Sequence, residues 1–522
     1  MDFRVQDHVD ALRDPAIWPV APREQGDPIV VQTHVSVVVL CGDRAFKFKK
    51  AVRLAFLDQS TPAHREAACG EELRINRRLC PDVYLGVAAL RRTALGLRFD
   101  AASPAGGDVV DHAVVMRRLP ADRMLDALLE RDAVATTAIE ALARHVAAFH
   151  RQQARAADDA VRAAGAPEHL IALARDNFRE TAALCGVLFD PELHALLATK
   201  LECALPALSA ALAGRAREGR VVDGHGDLHA RNVCMVEPPA IYDALEFSAA
   251  FRCGDVATEV AFLAMDLRYR GHRALAERFV EAYANAAGDD GLRAVLPELV
   301  RYRAMVRAKV DALAARDESI DVADRERAAA AARRHLRLAA WTCAEDGGAF
   351  ALIASGLPGS GKSFVFDALS REAGWPCLST DRVRKELCGA APHERLPAAA
   401  YDAATNRRVY DELVARARAC AGPVLLDGNF PRRDRRRDAR DALGRRTLLV
   451  GFTIDMALAH DRLRARVARD DAVSDADAAV HDALRSEYES IETSREAPAI
   501  LVDCAADATR SLDRIACSLL RG

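Results

Sequence analysis

The chain has 522 residues, 51% hydrophobic and 29% charged, a globular composition that excludes a disordered or fibrous protein. At about one domain per 150 residues, at least two domains are expected. The 73 basic and 76 acidic residues leave a net charge of -3, so no global field draws the chain to nucleic acid or an anionic membrane.

In chain order, "PIVVQTHVSVVVLCGDRAFKFKK" (28–50) reads as a β-hairpin with its turn at Gly42-Asp43. A helix starts after it, with Ser60 or Thr61 as N-cap and Pro62 in the first turn. "HAVVMRRLP" (112–120) is a strand ended by Pro120, and helical spacing dominates from about 121 to 215. A short apolar strand precedes Asp243, and helical patterns run to about 340. "TCAEDGGA" (342–349) is the expected linker between a domain over 1–341 and one over 350–522. "FALIAS" then opens an alternation of strand and helix that implies a parallel α/β domain.

The start, "MDFRVQDHVDALRD", has no apolar h-region, and no run of about 18 apolar residues is read anywhere, so a cytoplasmic protein without a membrane partner is expected. Thirteen scattered cysteines lack a C-x-x-C pair, and fifteen histidines lack H-E-x-x-H or finger spacing. No structural zinc is predicted.

"GLPGSGKS" (356–363) fits G-x-x-x-x-G-K-[ST] between an apolar strand and a helical segment. Gly356, Gly359 and Gly361, with Ser360 among them, let backbone N–H groups curl around phosphate oxygens at a helix N-terminus. Lys362 reaches the β- and γ-phosphates and Ser363 binds Mg²⁺. Downstream, neither N-K-x-D nor L-S-G-G occurs, against the GTPase and transporter readings. Asp381 in "CLSTDRVRKEL" can take a proton from an acceptor hydroxyl, and Arg384 can hold the acceptor or the transferring group; the plain alternative is a helix cap with a solvated arginine. "PVLLDGNF" ends a second core strand in Asp427, a Walker-B-like metal ligand. Arg462, Arg466 and Arg469 share a helix face, with Arg464 beside them, as an arginine lid over the phosphates or as a solvated helix.

In "GHGDLHARN" (224–232), His225, Asp227 and Asn232 match H-x-D-x-x-x-x-N, the spacing in which an Asp accepts the acceptor's proton and an Asn holds Mg²⁺. Asp243, at the end of the next apolar strand, stands where a second metal ligand belongs. In "RAFKFKK" Phe46 and Phe48 face one side and Ala45, Lys47 and Lys49 the other, with Lys47 preferred as the phosphate-contacting lysine. Glu72 interrupts the apolar stripe of Ala68, Ile75 and Leu79 and is the natural partner of Lys47, with Glu71 in reserve.

Residues 345 to 520 resemble the P-loop kinases related to polynucleotide kinase, zeta toxins and gluconate kinase, which implies Mg-ATP-dependent transfer to a hydroxyl with Asp381 as base. Residues 28 to 335 resemble the aminoglycoside phosphotransferase and choline kinase group. That resemblance implies an α+β protein-kinase-like fold with a β-rich small lobe and a helical large lobe, Asp227 as base, Asn232 and Asp243 on Mg²⁺, and Lys47 with Glu72 on the ATP phosphates. It also implies that Asp255 anchors the catalytic loop. No G-x-G-x-x-G loop is present, and "QTHVS" sits in its place. The whole chain resembles bacterial proteins described as bifunctional aminoglycoside phosphotransferase/ATP-binding proteins. The expected partner is a small-molecule hydroxyl acceptor, the absence of an A-P-E element disfavouring protein. Two other readings stand beside it: a regulatory or scaffold protein with one reactive site, and a polynucleotide 5′-hydroxyl kinase suggested by "RRDRRRDAR" (432–440).

Overall fold

Alternating side chains from Ile29 to Lys49 form three antiparallel strands, β1 (Ile29–Gln32), β2 (Ser36–Cys41) and β3 (Arg44–Lys49), with Gly42 at φ 58° in the second turn. This is the expected hairpin, extended by one strand. In the computed structural model, which describes residues 4–19, 27–33, 35–54, 57–94, 96–99, 107–318, 320–467, 476–505 and 507–521, the chain divides into two compact units. One comprises Met1–Leu173, Ala207–Arg270 and Ala274–Leu299, the other Ala174–Pro206, Gly271–Arg273 and Val300–Gly522.

In the first unit, the short pair β4 (Arg53–Leu54) and β5 (Leu57–Asp58) leads to helix α1 (Pro62–Asn76). The Thr61 hydroxyl caps this helix by accepting from the His64 N–H at 3.2 Å. Strands β6 (Tyr84–Thr93), β7 (Gly96–Phe99) and β8 (Asp108–Arg117) complete a six-stranded sheet in the order β1-β2-β3-β8-β6-β7. Phe46 and Phe48 pack with Trp18 and Phe99 on one face, which turns Lys47 and Lys49 to the other face, toward α1. Helices α2 (Leu125–Glu130), α3 (Thr136–Ala156), α4 (Asp159–Ala164), α5 (Pro167–Thr181) and α6 (Pro191–Arg217) follow. By length and composition α6 could cross a membrane, with a mean hydropathy of 1.4 over its most apolar window, a span the sequence reading did not single out. Leu193, Leu197, Leu205, Leu208 and Leu212 of this helix are buried in protein.

The chain then forms β9 (Val221–Asp223), β10 (Val233–Cys234), β11 (Ala240–Ile241), α7 (Ala249–Arg252), β12 (Cys253–Asp255), α8 (Val256–Tyr269), α9 (Arg273–Ala287), α10 (Leu292–Arg316) and α11 (Val322–Glu345). Strand β9 pairs with β12, and β10 with β11. Of residues 342–349, 342–345 continue helix α11 and 346–349 turn into the next strand.

That strand, β13 (Phe350–Ser355), is wholly buried and is the centre of the second unit's sheet. It is followed by α12 (Lys362–Ala373), β14 (Cys377–Ser379), α13 (Thr380–Leu387), α14 (Ala403–Ala419), β15 (Val424–Asp427), α15 (Arg433–Leu443), β16 (Arg446–Thr453), α16 (Met456–Val467), α17 (Ala478–Arg485), β17 (Ala499–Asp503) and α18 (Ala508–Arg521). All five strands are parallel, in the order β14-β15-β13-β16-β17, as the alternating pattern predicts. The order reverses about β13, so the carboxyl ends of β13, β14 and β15 meet at the crevice where open α/β sheets bind ligands.

Candidate active sites

Each unit gathers one set of the expected residues. In the first, the Lys47 ammonium donates to Glu72 Oε1 at 2.8 Å and also bonds the Asp243 carboxylate. Lys49 reaches Glu72 Oε2 at 2.5 Å and pairs with Glu246, so the sheet delivers both lysines to one acid. Glu246 was not anticipated, nor was the share that Lys49 takes of Glu72. Burial alone would raise the Glu72 carboxyl, but the two ammonium groups hold it well below the usual carboxylate range. Glu71, the reserve candidate, faces solvent and pairs with Arg74.

The loop of residues 224–232 is fastened from two sides. The His225 ring accepts from the Asp227 N–H at Nδ1 (3.2 Å), so its Nε2–H donates to the Tyr242 carbonyl (2.9 Å). Burial keeps that ring below its usual range and neutral. Two backbone bonds, Tyr242 N–H to Asn232 O and Leu245 N–H to His225 O, both 3.0 Å, stitch the Asp243 segment to the loop. Asp243 sits at φ 64°, a left-handed conformation that Asp tolerates better than most residues. The Asn232 amide nitrogen donates to the Asp227 carbonyl at 3.0 Å, which leaves Asn232 Oδ1 as the atom a cation would use. Asp227 itself is half-buried, with its carboxylate 3.3 Å from His229 Nε2.

The residue that fastens the loop on its other side is Glu259 of α8. Its Oε1 accepts from the Gly226 N–H at 2.7 Å and from the His225 N–H, and its Oε2 meets His150 Nε2 at 2.8 Å. A Cβ on Gly224 would lie 2.2 Å from Glu259 Oε1, so only glycine lets the acid approach. Asp266 adds a bond from the Ala230 N–H at 2.8 Å. Asp255, expected as the anchor of this loop, instead caps α8 through the Ala257 N–H and binds Arg215, which also holds Asp289.

Against desolvation, His150 and the Gly226 N–H hold the Glu259 carboxyl at about 2. A depressed carboxyl stabilises the fold fully above its ordinary value of 4.5, and that contribution is lost as pH falls through about 2. Glu259→Ala is expected to cost about 3 kcal/mol by leaving buried donors unpaired. Glu259→Gln is expected to flatten the acid side of the stability profile, which urea melts above and below pH 4.5 will read.

In the second unit, Gly359 and Gly361 adopt φ 82° and 88°, and a Cβ on Gly359 would lie 2.8 Å from the Ala459 carbonyl. The loop between β13 and α12 therefore curls over the helix N-terminus as its spacing predicts. The Ser360 side chain is buried within it, and the Lys362 ammonium donates to the Leu357 carbonyl at 2.9 Å. Ser363 hydrogen-bonds the Asp427 carboxylate. Burial pushes that carboxyl up, Lys362 and Ser363 pull it back, and Asp381 and Asp367 act on it through space. A hydroxyl, a carboxylate and a lysine at the head of a phosphate loop are the donor set that Mg-ATP needs, so the residues present fit the group.

Asp381 lies in the first turn of α13, its N–H bonded to the Ser379 hydroxyl at 3.2 Å, and Ser379 pairs in register with Asp427. Arg384 is committed elsewhere: it donates to the Ala400 carbonyl (2.8 Å) and Asn406 Oδ1 (2.7 Å) and stacks over Tyr401 at 4.6 Å. In this conformation it positions the 400–406 segment rather than a phosphoryl group. Arg462 donates to the Cys504 carbonyl at 2.7 Å, and Arg464 pairs with Asp461. The side chain of Arg466, and all of Arg469, lie outside the described residues. Beside the phosphate loop a cavity of about 350 Å³ is walled by Gly361, Phe364, Arg462, Cys504 and Ser511.

The arginine run at 432–440 is largely paired. Arg436 is fully buried in a two-pronged bond to Glu496, Arg440 donates to the Glu496 and Ala497 carbonyls, and Arg432 and Arg433 meet Asp434 and Glu492.

Residues 352–491 match the family model described as AAA domain, and the C-terminal region is a P-loop domain. Over 480 residues the chain is 32% identical to uncharacterized protein Rv2004c of Mycobacterium tuberculosis, covering 89% of this chain and 91% of that one. An uncharacterized protein of Mycobacterium bovis matches equally. The chain belongs to the same family as these mycobacterial proteins. Among solved structures, similarity extends to a choline/ethanolamine kinase family protein from Mesorhizobium loti (13% identity, 63% of this chain and 94% of that one, TM-score 0.38). A gluconokinase from Sinorhizobium meliloti is also similar (18%, 34% and 92%, TM-score 0.26).

Proposed function

We propose that the chain is an ATP- and Mg²⁺-dependent phosphotransferase with two nucleotide sites, each passing the γ-phosphoryl group to the hydroxyl of a small molecule. The observation that carries this reading is the convergence of Lys47, Glu72 and Asp243 beside a fastened Asp227–Asn232 loop. In residues 1–341, Lys47, held in place by Glu72, would hold the ATP phosphates, and Asn232 Oδ1 and Asp243 would hold Mg²⁺, which neutralises charge developing on the phosphates. Asp227 accepts the acceptor's proton as its oxygen bonds to the γ-phosphorus; the bond to the β-phosphate oxygen breaks and ADP leaves. In residues 350–522, the phosphate loop with Lys362 would take the nucleotide, Ser363 and Asp427 its Mg²⁺, and Asp381 the acceptor proton. The cavity at Phe364 and Arg462 is suited to the base. A cytoplasmic setting supplies the ATP.

The test is acceptor-dependent ADP release from the purified chain, run beside Lys47→Ala and Lys362→Ala. Each change is expected to remove one separable set of acceptors. If Lys362→Ala leaves all turnover intact, the second site binds without reacting, and the scaffold reading takes its place. Release driven by 5′-hydroxyl oligonucleotides would overturn the small-molecule reading of that site.

A further inference from the structure

We propose that His460, His481 and Asp482 form a site for one divalent transition-metal ion of the zinc class, joining α16 to α17 beside the phosphate loop. Their ligating atoms all lie within 4.8 Å of one another. His460 Nε2 is 3.1 Å from Asp482 Oδ1, close to the separation of about 3.3 Å that two ligands take around tetrahedral zinc. Closing the widest gap needs a shift of roughly 1.5 Å, within reach of side-chain rotation.

The chemistry of the set is selective. Two imidazoles and one carboxylate suit zinc, cobalt or nickel better than Mg²⁺, which prefers an all-oxygen shell. His481 is buried, and its Nδ1 lies 2.8 Å from the Pro358 carbonyl, so that nitrogen carries the proton. A backbone carbonyl of this kind fixes the tautomer of a metal-binding imidazole and leaves Nε2 with its lone pair. His460 is partly exposed and the Asp482 carboxylate more so, which gives the ion a way in and leaves a fourth position for water. Pro358 belongs to the phosphate loop itself, so an ion here would steady that loop through His481. No sequence motif announces the set, because its first member is separated from the other two by more than twenty residues of chain.

The test is a titration of the full chain with Zn²⁺ against a chromogenic chelator, in excess Mg²⁺, for the wild type, His460→Ala and Asp482→Asn. The wild type is expected to hold one more tight equivalent than either variant, loss of a ligand weakening that equivalent by at least the roughly 10–100-fold that loss of a mere outer-shell partner costs. Co²⁺ in place of Zn²⁺ is expected to give the visible bands of tetrahedral coordination in the wild type alone. Zn²⁺ is also expected to raise the Tm of the wild type and not of the variants, whose metal-free Tm reports their folding. Equal Zn²⁺ stoichiometry in all three proteins, or a Co²⁺ spectrum indifferent to both substitutions, overturns the site.

Discussion

Asp227→Asn is expected to lower transfer from the first site by about 10²–10⁴-fold, the range a positioned base contributes, while ATP binding and Tm stay near the wild-type values. The substitution conserves shape and keeps one oxygen for the Asn232 amide, whose stronger bond runs to the Asp227 main-chain carbonyl and does not involve the carboxylate. The loop's geometry depends on groups that the change does not touch: Glu259 under His225 and Gly226, the His225 bond to Tyr242, and Asp266 under Ala230. The phosphate-side residues Lys47, Glu72 and Asp243 are likewise unaltered. Loss of turnover with retained nucleotide binding therefore isolates proton acceptance from loop integrity, whereas Glu259→Ala should lose both. Unchanged turnover in Asp227→Asn would remove Asp227 from the chemistry and leave the loop as a structural turn.

What could be read from the sequence followed from how local each signal is. The phosphate loop was legible because its function demands glycines at fixed offsets, and Gly359 and Gly361 adopt the left-handed backbone that such offsets imply. Glu72 was legible because an acid in an apolar stripe must find a cation, and it finds two. Glu259 escaped notice because two of its partners are backbone N–H groups, which carry no residue-type signature, and the third, His150, lies far away in the chain. Asp255, the acid that the following segment made conspicuous, serves a buried arginine instead. Strand β6 was missed because "YLGVAALRRT" runs apolar and then cationic instead of alternating, and its side chains are mostly half-buried. Arg384 illustrates a different limit, since the spacing of Asp381 and Arg384 says nothing of Tyr401 and Asn406, which occupy the guanidinium.

A fragment begun at Phe350, at the boundary that the sequence suggests, is expected to be markedly less stable than one begun at Asp321, which retains α11; both lack residues 174–206, 271–273 and 300–320 of the second unit. Trp341 on that helix is fully buried against Trp375, at 5.6 Å between ring centroids, and Trp375 in turn packs edge-on to Phe350 at 5.1 Å. The Trp375 indole N–H donates to Glu345 at 2.8 Å. Arg337 is buried between Glu372 of α12 and Asp513 of α18, at 2.7 and 3.1 Å. Starting at residue 350 strips one side of Trp375, a loss on the scale of the 3–5 kcal/mol for deleting a buried aromatic residue. It also leaves two acids without their arginine, and removing one partner of a buried pair costs about 3–5 kcal/mol. Together these come to about 6–10 kcal/mol, within the 5–15 kcal/mol by which a whole domain is stable. Circular dichroism melts of the two fragments decide the point: a lower and broader transition is expected for 350–522 than for 321–522. A fragment 350–522 that melts as sharply, and at the same temperature, would show that α11 contributes nothing to this fold.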